Sequence, residues 1–304
     1  MRILITGATG FLGSNLVKSL VKESQYEIVV IKRLTSDISV LNSVLGYISV
    51  YDLDKTNNTI YDIISQERPE IVVHMASLFL SNHNLEQINP LIESNIIFPT
   101  KLLDAMAVHG VKRFLNTGTS WEHFNCSKEY NPVCLYAATK KAFEDILQFY
   151  IKSYGIMSVT LKLFDTYGPN DPRPKLFYFL KRCLVDEHPV EFSPGEQTLD
   201  LLYIDDVVTA YEKALRYLAK KESPENDIFF IGSGEERQLK DVVGIFEEVV
   251  EKKLNINWGS RPYRQREVMK AKADIRLAEE RLGWQPRVFL REGIEKMLKE
   301  EGFI

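Results

Sequence analysis

A glycine-rich turn near the start of the chain constrains the fold more than any other feature. The apolar segment Arg2-Ile3-Leu4-Ile5-Thr6 runs into Gly7-Ala8-Thr9-Gly10-Phe11-Leu12-Gly13, and apolar residues at helical spacing then continue to Lys22. A strand that turns sharply into a helix presents free backbone N–H groups and the positive end of the helix dipole to a phosphate. The spacing G-x-x-G-x-x-G differs from the usual fingerprint, and a purely structural turn is the alternative. The pattern predicts a dinucleotide-binding strand, turn and helix.

Composition and charge limit the kinds of partner that we expect this protein to bind. The chain has 304 residues and a net charge of −4, which gives no reason to expect nucleic acid or an anionic membrane as a partner. We find no apolar run of membrane-spanning length and no secretory signal, so we expect a cytoplasmic protein. Cys126, Cys134 and Cys183 lack metal-ligand spacing. We expect reduced thiols and no metal site.

Strand and helix patterns alternate along more than half of the chain. The predicted strands are 2–6, 27–31, 47–51, 70–74, 111–117 and 158–164. The predicted helices are 11–22, 57–66, 85–109, 135–154, 205–220, 239–252, 275–282 and 290–300. This alternation predicts an α/β fold, a doubly wound parallel sheet with helices on both faces. We expect residues 1–166, with returns near 198–218 and 228–234, to bind the dinucleotide, and residues 167–304 to form mainly a smaller substrate lobe.

The end of the second predicted strand bears on the choice of cofactor. NAD-binding proteins of this design place an acidic residue there to bind the ribose hydroxyls, whereas this chain has Lys32 and Arg33. Two cations would attract a 2′-phosphate, which favours NADPH over NAD unless both are merely solvated surface charges. Asp52, after the third strand, is a candidate for the adenine edge or for a helix-entry role. The predicted cofactor-binding residues are Gly7, Thr9, Gly10, Phe11, Leu12, Gly13, Lys32, Arg33, Asp52, Leu53, Ala76 and Lys140.

The segment Tyr136-Ala137-Ala138-Thr139-Lys140 carries the strongest catalytic signal. Residues four apart on a helix share a face, so the phenol and the ammonium can converge on one ligand. We expect Lys140 to lower the pKa of Tyr136 from about 10 toward the working range. Thr119 and Ser120 end a predicted strand, where ligands of parallel sheets collect. The predicted catalytic residues are Thr119, Tyr136 and Lys140, although pairs at the Tyr–Lys spacing also arise by chance.

With these motifs in order, the chain resembles the extended short-chain dehydrogenase/reductases that act on nucleotide sugars, also described as the NAD-dependent epimerase/dehydratase family. The resemblance covers nearly the whole length and implies a Thr119–Tyr136–Lys140 triad, with Asn95 as a structural asparagine. The other matching segments are His74-Met75-Ala76, Tyr167-Gly168-Pro169, the run from Asp200 to Val207, Gly232-Ser233-Gly234, Ala273-Asp274 and Leu282-Gly283-Trp284-Gln285-Pro286.

The residues around the triad resemble one group within this family. Sugar dehydratases place an acidic pair directly after the triad threonine, whereas Ser120 and Trp121 stand here and Glu122 comes one place late. The short interval from Thr119 to Tyr136, the basic residues after the second strand and the Gly195-Glu196-Gln197 turn resemble the CDP-abequose synthase group.

This resemblance implies NADPH-dependent reduction of the 4-keto group of a nucleotide-linked 6-deoxy or 3,6-dideoxy hexulose, in the biosynthesis of surface-polysaccharide sugars. Tyr136 would donate the proton and Thr119 would hydrogen-bond the same oxygen. The alternatives are a nucleotide-sugar 4-epimerase with tightly bound NAD(P) and a non-enzymatic NADP-binding regulator. The intact triad argues against the regulator.

A nucleotide diphosphate requires cations in the second lobe. Arg261, Arg264 and Arg266 cluster before Ala273-Asp274, where the family places a pyrophosphate-binding arginine, and Arg264 fits best by spacing. Guanidinium groups bind phosphate oxygens in bidentate fashion, although a solvated basic turn is the alternative. Lys175 is a weaker candidate.

Two positions depart from the family pattern near the expected substrate. Leu199 stands where the family has an arginine, and Asp165 replaces the asparagine of the Tyr167-Gly168-Pro169 loop. The first departure removes only a structural ion pair, whereas the second lies near the sugar. Together with Lys175 and Arg264, we expect Ser120 and Asp165 to bind the substrate.

The stretches 91–107 and 135–150 carry apolar residues on more than one face. One face must cover the sheet, and the second needs another partner. Family members commonly pair these helices with their symmetry mates, so we expect a homodimer formed through a four-helix bundle. Phe149 and Leu103 are the expected interface residues, and burial of the second face by the smaller lobe is the alternative.

Overall fold

The computed structural model describes residues 1–53, 59–186 and 188–304. Its strands are β1 (Arg2–Thr6), β2 (Glu27–Arg33), β3 (Ile48–Leu53), β4 (Ile71–His74), β5 (Arg113–Thr119), β6 (Met157–Leu163), β7 (Asp165–Tyr167), β8 (Val190–Phe192), β9 (Thr198–Leu199), β10 (Leu201–Tyr203), β11 (Asn226–Ile231), β12 (Arg237–Gln238) and β13 (Ile256–Trp258). Its α-helices are α1 (Phe11–Leu20), α2 (Thr59–Glu67), α3 (Ile88–Ile92), α4 (Phe98–Val108), α5 (Leu135–Tyr154), α6 (Leu176–Val185), α7 (Ile204–Ala219), α8 (Leu239–Val249), α9 (Arg276–Leu282) and α10 (Leu290–Glu300). Along these ranges no helix combines the length and the apolar character needed to cross a membrane.

Seven parallel strands form the central sheet, in the order β11-β6-β5-β4-β1-β2-β3. Alternate side chains of β1, β2 and β4 enter two separate cores, as the pleat requires. Ile3 and Ile5 pack with α1, α7 and α8, while Leu4 packs with α2, α4 and α5 on the other face. The predicted doubly wound α/β fold is therefore confirmed. The first two residues of the helix predicted at 57–66 lie outside the described residues.

The turn from β1 into α1 packs its backbone more closely than any side chain would allow. Gly7 has a φ of +74°, and a Cβ on it would lie 2.5 Å from the backbone nitrogen of Ala76. A Cβ on Gly13 would collide with the carbonyl oxygen of Gly7. These two glycines therefore bring the start of α1 against the carboxyl ends of β1 and β4.

The long helix predicted at 85–109 is helical but not a single α-helix. A 3₁₀ turn leads into α3, the π-helical turn Glu93–Ile97 follows, and α4 completes the stretch. Asn95 lies in the π turn and is almost completely buried. Such turns are rare and occur frequently at functional sites, so this irregularity marks a position that the periodic sequence pattern did not reveal.

After β6 the chain leaves the central sheet. In this part of the chain, the side chain of Asp200 connects two later segments by hydrogen bonds. The carboxylate accepts backbone N–H bonds from Ser233 (2.6 Å), Gly234 (3.0 Å) and Ala273 (2.8 Å). Burial raises the pKa of Asp200, and these hydrogen bonds oppose that rise. The carboxylate thus has three backbone hydrogen-bond donors although no arginine stands at position 199.

The helices expected to form a dimer interface use most of their apolar residues inside the chain. Leu103 is fully buried in the core between α4 and the sheet, so the expectation that it lies at an interface is wrong. Phe149, on α5, is 56% exposed, and Val108, at the end of α4, is 65% exposed. The periodicity could not distinguish the face toward the sheet from the outer face.

Candidate active site

The three residues of the predicted triad meet at the carboxyl end of β5. Thr119 is the last residue of β5, and Tyr136 and Lys140 lie one turn apart at the start of α5. Hydroxyl groups of Thr119 and Ser77 hydrogen-bond the phenol of Tyr136. Thr119 and Lys140 are both buried, whereas Tyr136 is half-buried at this edge of the sheet.

The pKa of Tyr136 moves in the direction opposite to the one expected. Burial raises it to about 12, and the hydrogen bonds from Thr119 and Ser77 only partly offset this rise. Lys140 does not counteract the effect of burial. At neutral pH the phenol is therefore protonated, and Tyr136 is suited to donate a proton to an oxygen that gains negative charge.

Lys140 lies near a group of buried charged side chains that the sequence analysis did not predict. Lys162, in β6, pairs with Glu122 at 2.7 Å and with Glu144 at 3.3 Å, and all three are buried. We call these three residues the buried charge cluster. Burial lowers the pKa of Lys140 to about 8, although Glu122 and Glu144 oppose the shift. Glu122 thus belongs to the interior and does not line the substrate cleft described below.

The glycine turn fits a dinucleotide phosphate. Gly10 caps α1, no side chain caps this end of the helix, and its first turn has no acidic residue. The N–H groups of that turn therefore stay available to an anion. A Cβ on Gly10 would meet only the carbonyl oxygen of Gly7, at 3.4 Å. Packing within the protein therefore requires glycine at positions 7 and 13 but not at position 10.

Residues predicted to bind the adenosine end of the cofactor pair with each other. Lys32 lies opposite Asp52, and Arg33 opposite Leu53, in the register of β2 and β3. The ammonium of Lys32 is 2.5 Å from the carboxylate of Asp52 and only 12% exposed, whereas Arg33 is exposed. Arg33 is therefore the more available of the two cations. The sequence did not predict this ion pair, because it depends on the register between strands.

A cleft of about 970 Å³ opens beside the triad and contains three of the four predicted substrate residues. Asp165 and Lys175 line it and pair at 2.8 Å, and Arg264 lines it as well. Burial alone would raise the pKa of Asp165, but Lys175 more than compensates and holds the carboxyl ionised. Ser120, the fourth, begins a 3₁₀ turn after Thr119 and does not line this cleft.

The three clustered arginines have different surroundings. Arg261 and Arg264 line the cleft, and Arg264 forms a bidentate pair with Glu267 at 3.0 and 2.8 Å. Arg266 instead bonds Asn131 at 2.6 Å and lies 4.4 Å from the ring of Phe124. Arg264, the arginine favoured by spacing, is thus placed to face a ligand, whereas Arg266 holds the loop after β5.

Phe79, Trp121 and Arg173 are among the cleft residues that sequence reasoning missed. The guanidinium of Arg173 lies 4.7 Å from the ring of Phe11 and so connects the cleft with the glycine turn. The sequence could have indicated Arg173, because it is a cationic residue within the proline-rich stretch that leads into the second lobe. Phe79 and Trp121 carry no such signal, because their position depends on how two loops meet.

Comparison with known proteins agrees with this geometry. The chain belongs to the NAD dependent epimerase/dehydratase family, whose sequence profile matches residues 3–232. It is therefore an enzyme of the extended short-chain dehydrogenase/reductase type, and its cofactor is a nicotinamide dinucleotide.

Individual relatives match along nearly the whole chain. CDP-abequose synthase from Salmonella muenchen is 28% identical over 300 residues, which cover 98% of this chain and 97% of that protein. UDP-glucose 4-epimerase from Thermotoga maritima, solved with UDP-glucose, has a TM-score of 0.87 at 26% identity and covers 99% of both chains. UDP-glucuronic acid 4-epimerase from Bacillus cereus, solved as a variant with NAD, has a TM-score of 0.87 at 27% identity and covers 98% of both chains. The predicted family is confirmed, and these proteins comprise one synthase and two 4-epimerases.

Activity should fall as the pH rises through about 8, where buried Lys140 loses its charge. Tyr136, with a pKa of about 12, stays protonated over this range and cannot cause the fall. Arginine stays charged, so Lys140→Arg should move the alkaline fall to higher pH even if the rate is lower. Initial rates from about pH 6 to about pH 10 test this.

Lys141→Arg is the matched control, since Lys141 pairs with Asp145 on the neighbouring position of the same helix. It should leave the alkaline fall where the wild type has it. An unchanged fall in Lys140→Arg would show that another group titrates.

Proposed function

We propose that the protein reduces the 4-keto group of a nucleotide-linked 6-deoxy or 3,6-dideoxy hexulose with NADPH, in the biosynthesis of surface-polysaccharide sugars. The observation that carries the proposal is the placement of Tyr136 and Thr119 beside a cleft that Arg261 and Arg264 line. The similarity to CDP-abequose synthase along 98% of the chain supports the same reaction class.

In the proposed mechanism, Tyr136 donates its proton to the oxygen on carbon 4 as that oxygen becomes an alkoxide. Thr119 hydrogen-bonds the same oxygen, so stabilisation is concentrated where charge develops. The ammonium of Lys140 stabilises the phenolate that remains. A bound nicotinamide cofactor supplies the hydride. The buried charge cluster beneath Lys140 helps this ammonium to keep its charge.

The remaining site residues divide between cofactor and substrate. We propose that residues 1–166, with the returns near 198–218 and 228–234, bind the cofactor, and that residues 167–304 bind mainly the nucleotide sugar. Thr9, Leu12 and Ala76 lie around the glycine turn and would complete the cofactor contacts. Arg264 would bind the diphosphate and Lys175 would contact the sugar. Ser120 does not line the cleft. It would influence the substrate indirectly, through the position of Thr119, the residue before it.

NADPH is the proposed cofactor because Lys32 and Arg33 stand where an acidic residue would bind the ribose of NAD. Asp52 weakens this attraction by pairing with Lys32. The exposed Arg33 would therefore provide most of the binding to a 2′-phosphate. NAD in the Bacillus cereus epimerase structure supports the opposite preference, so the two cofactors need a direct comparison.

A 4-epimerase is the second candidate, favoured by the likeness to the two solved 4-epimerases. An epimerase returns the hydride that it removes, so it keeps its cofactor bound and consumes none.

The wild-type enzyme should oxidise NADPH when given a CDP-, GDP-, dTDP- or UDP-linked 4-keto-6-deoxy sugar. Tyr136→Phe should lower turnover by about 10²–10⁴-fold, as loss of a general acid typically does, with little change in cofactor affinity. Tyr130→Phe, in the exposed loop before α5, is the matched control and should keep full turnover. Interconversion of 4-epimers without net NADPH oxidation would instead establish the epimerase.

Replacing Lys32 and Arg33 together by alanine should weaken NADPH binding by about 10-fold or more and change NADH binding little, since a charged hydrogen bond to the 2′-phosphate is lost. Calorimetry with both cofactors measures the difference. The control replaces Lys252 and Lys253, an adjacent cationic pair after α8, and should change neither. Equal losses for NADPH and NADH would refute the cofactor assignment.

We also propose a homodimer in which α4 and α5 pair with those of a second copy as a four-helix bundle. Phe149 and Val108 would lie in the interface, since both are exposed on these helices. Sedimentation at micromolar concentration should report a dimer, and Phe149→Glu should shift it toward monomer. Phe289→Glu, at an exposed phenylalanine away from these helices, should not. A wild-type monomer would contradict the proposal.

A further inference from the structure

Two aromatic rings form one side of the cleft directly beside the catalytic phenol. Phe79, in the loop after β4, stands edge-on to Tyr136 with 5.0 Å between ring centroids, and Trp121 lies 5.3 Å from Phe79. Both rings line the cleft, and Phe79 is 42% exposed. We call Phe79 and Trp121 the aromatic wall.

The loop that carries Phe79 is held firmly against α5. Asn95, in the π turn, accepts hydrogen bonds from Ser77 Oγ at 3.0 Å and from the Leu78 backbone N–H at 2.8 Å. Its amide nitrogen donates to the Leu78 carbonyl and to Thr139 Oγ1, both at 3.0 Å. Ser77 also hydrogen-bonds Tyr136. One buried asparagine thus fixes the position of the wall relative to the catalytic helix.

Trp121 is fixed from the other side. Its backbone N–H donates to Thr119 Oγ1 at 3.3 Å, and its carbonyl accepts from the Val133 N–H at 2.9 Å. The guanidinium of Arg264 lies 5.8 Å from the Trp121 ring. The wall therefore extends from the triad toward the arginine proposed to bind the diphosphate, along the path that a nucleotide-linked sugar must occupy.

The aromatic wall differs in chemistry from Asp165 and Lys175, which line the same cleft. Phe79 and Trp121 together offer one hydrogen-bonding atom, the indole N–H, and no acceptor. Asp165 and Lys175 also line the cleft and carry full charges, and the Lys175 ammonium lies 5.6 Å from the Phe79 ring. A sugar ring does not fit between the Lys175 ammonium and the Phe79 ring at this distance, so a sugar in the cleft has Asp165 and Lys175 as polar partners at one edge and the apolar surface of Phe79 and Trp121 beside it.

Carbon 4 must lie at Tyr136 for the proposed reaction, so the substituents nearest the wall are those on the adjoining carbons 3 and 5. A hydroxyl turned against the wall loses water without gaining a full set of partners, whereas a CH₂ or CH₃ group gains apolar contact. We infer that the aromatic wall determines specificity by receiving a deoxygenated sugar carbon, so that the cleft selects nucleotide-linked deoxyhexoses over their hydroxylated counterparts. This inference rests on the proposed nucleotide-sugar substrate and names the residues that choose it.

Binding of sugars that cannot be reduced tests the inference apart from the reaction. Calorimetry is performed with CDP- and UDP-linked glucose, 6-deoxyglucose and 3-deoxyglucose. The wild type should bind at least one deoxygenated sugar about 10-fold more tightly than the glucose form, the effect expected from one unsatisfied hydroxyl. Phe79→Asn supplies a donor and an acceptor and should reduce this ratio toward one.

Phe79→Leu is the matched control, because it keeps the wall apolar and should keep the ratio. Binding of CDP and UDP alone reports whether the nucleotide end of each variant is intact. Equal affinities for glucose and deoxyglucose forms in the wild type would overturn the inference, as would a ratio unchanged by Phe79→Asn. A preference for deoxygenated sugars without any NADPH oxidation would support the wall and refute the reductase. Reduction without a preference for deoxygenated sugars would support the reductase and refute the role of the aromatic wall.

Discussion

The close approach of the Gly7 backbone to the ends of α1 and β4 is the constraint on which the site depends. Side chains at positions 7 and 13 would force the helix away from the strands. With glycine there, the start of α1 meets the carboxyl edge of the sheet, where β4 leads to Ala76 and β5 to Thr119. The glycine turn and the triad therefore share one edge, so a cofactor bound at the turn would reach Tyr136.

Around this edge, buried polar groups position the residues that face the cleft. Asn95 joins the loop after β4 to α5, while the buried charge cluster joins β6 to α5 and to the turn after β5. Breaking a buried pair by removing one partner is strongly destabilising, because an uncompensated charge remains. These interactions explain why a charged lysine can occupy the buried strand β6.

The sequence allowed six of the seven strands of the central sheet, most helices and the triad to be predicted, because each depends on local periodicity or on spacing along one helix. Properties that depend on contacts between distant segments were not predictable in this way. The rise in the pKa of Tyr136 comes from burial by several elements. The pairing of Lys32 with Asp52 comes from strand register. Leu103 and Phe149 belong to similar apolar patterns, and only the packing shows that one is buried and the other exposed.

The bonds made by Asp200 have a consequence for the arginines in the cleft. Its carboxylate holds Ser233 and Gly234 on one side and Ala273 on the other, so the chain between them is a loop whose two ends are held by one side chain, while the pairing of β12 and β13 holds it in between. Arg261 and Arg264 lie within that loop. The entropy of bringing its ends together is already lost on folding. A diphosphate that binds these arginines therefore has less chain disorder to overcome, and Asp200 contributes to affinity for a ligand without contacting it.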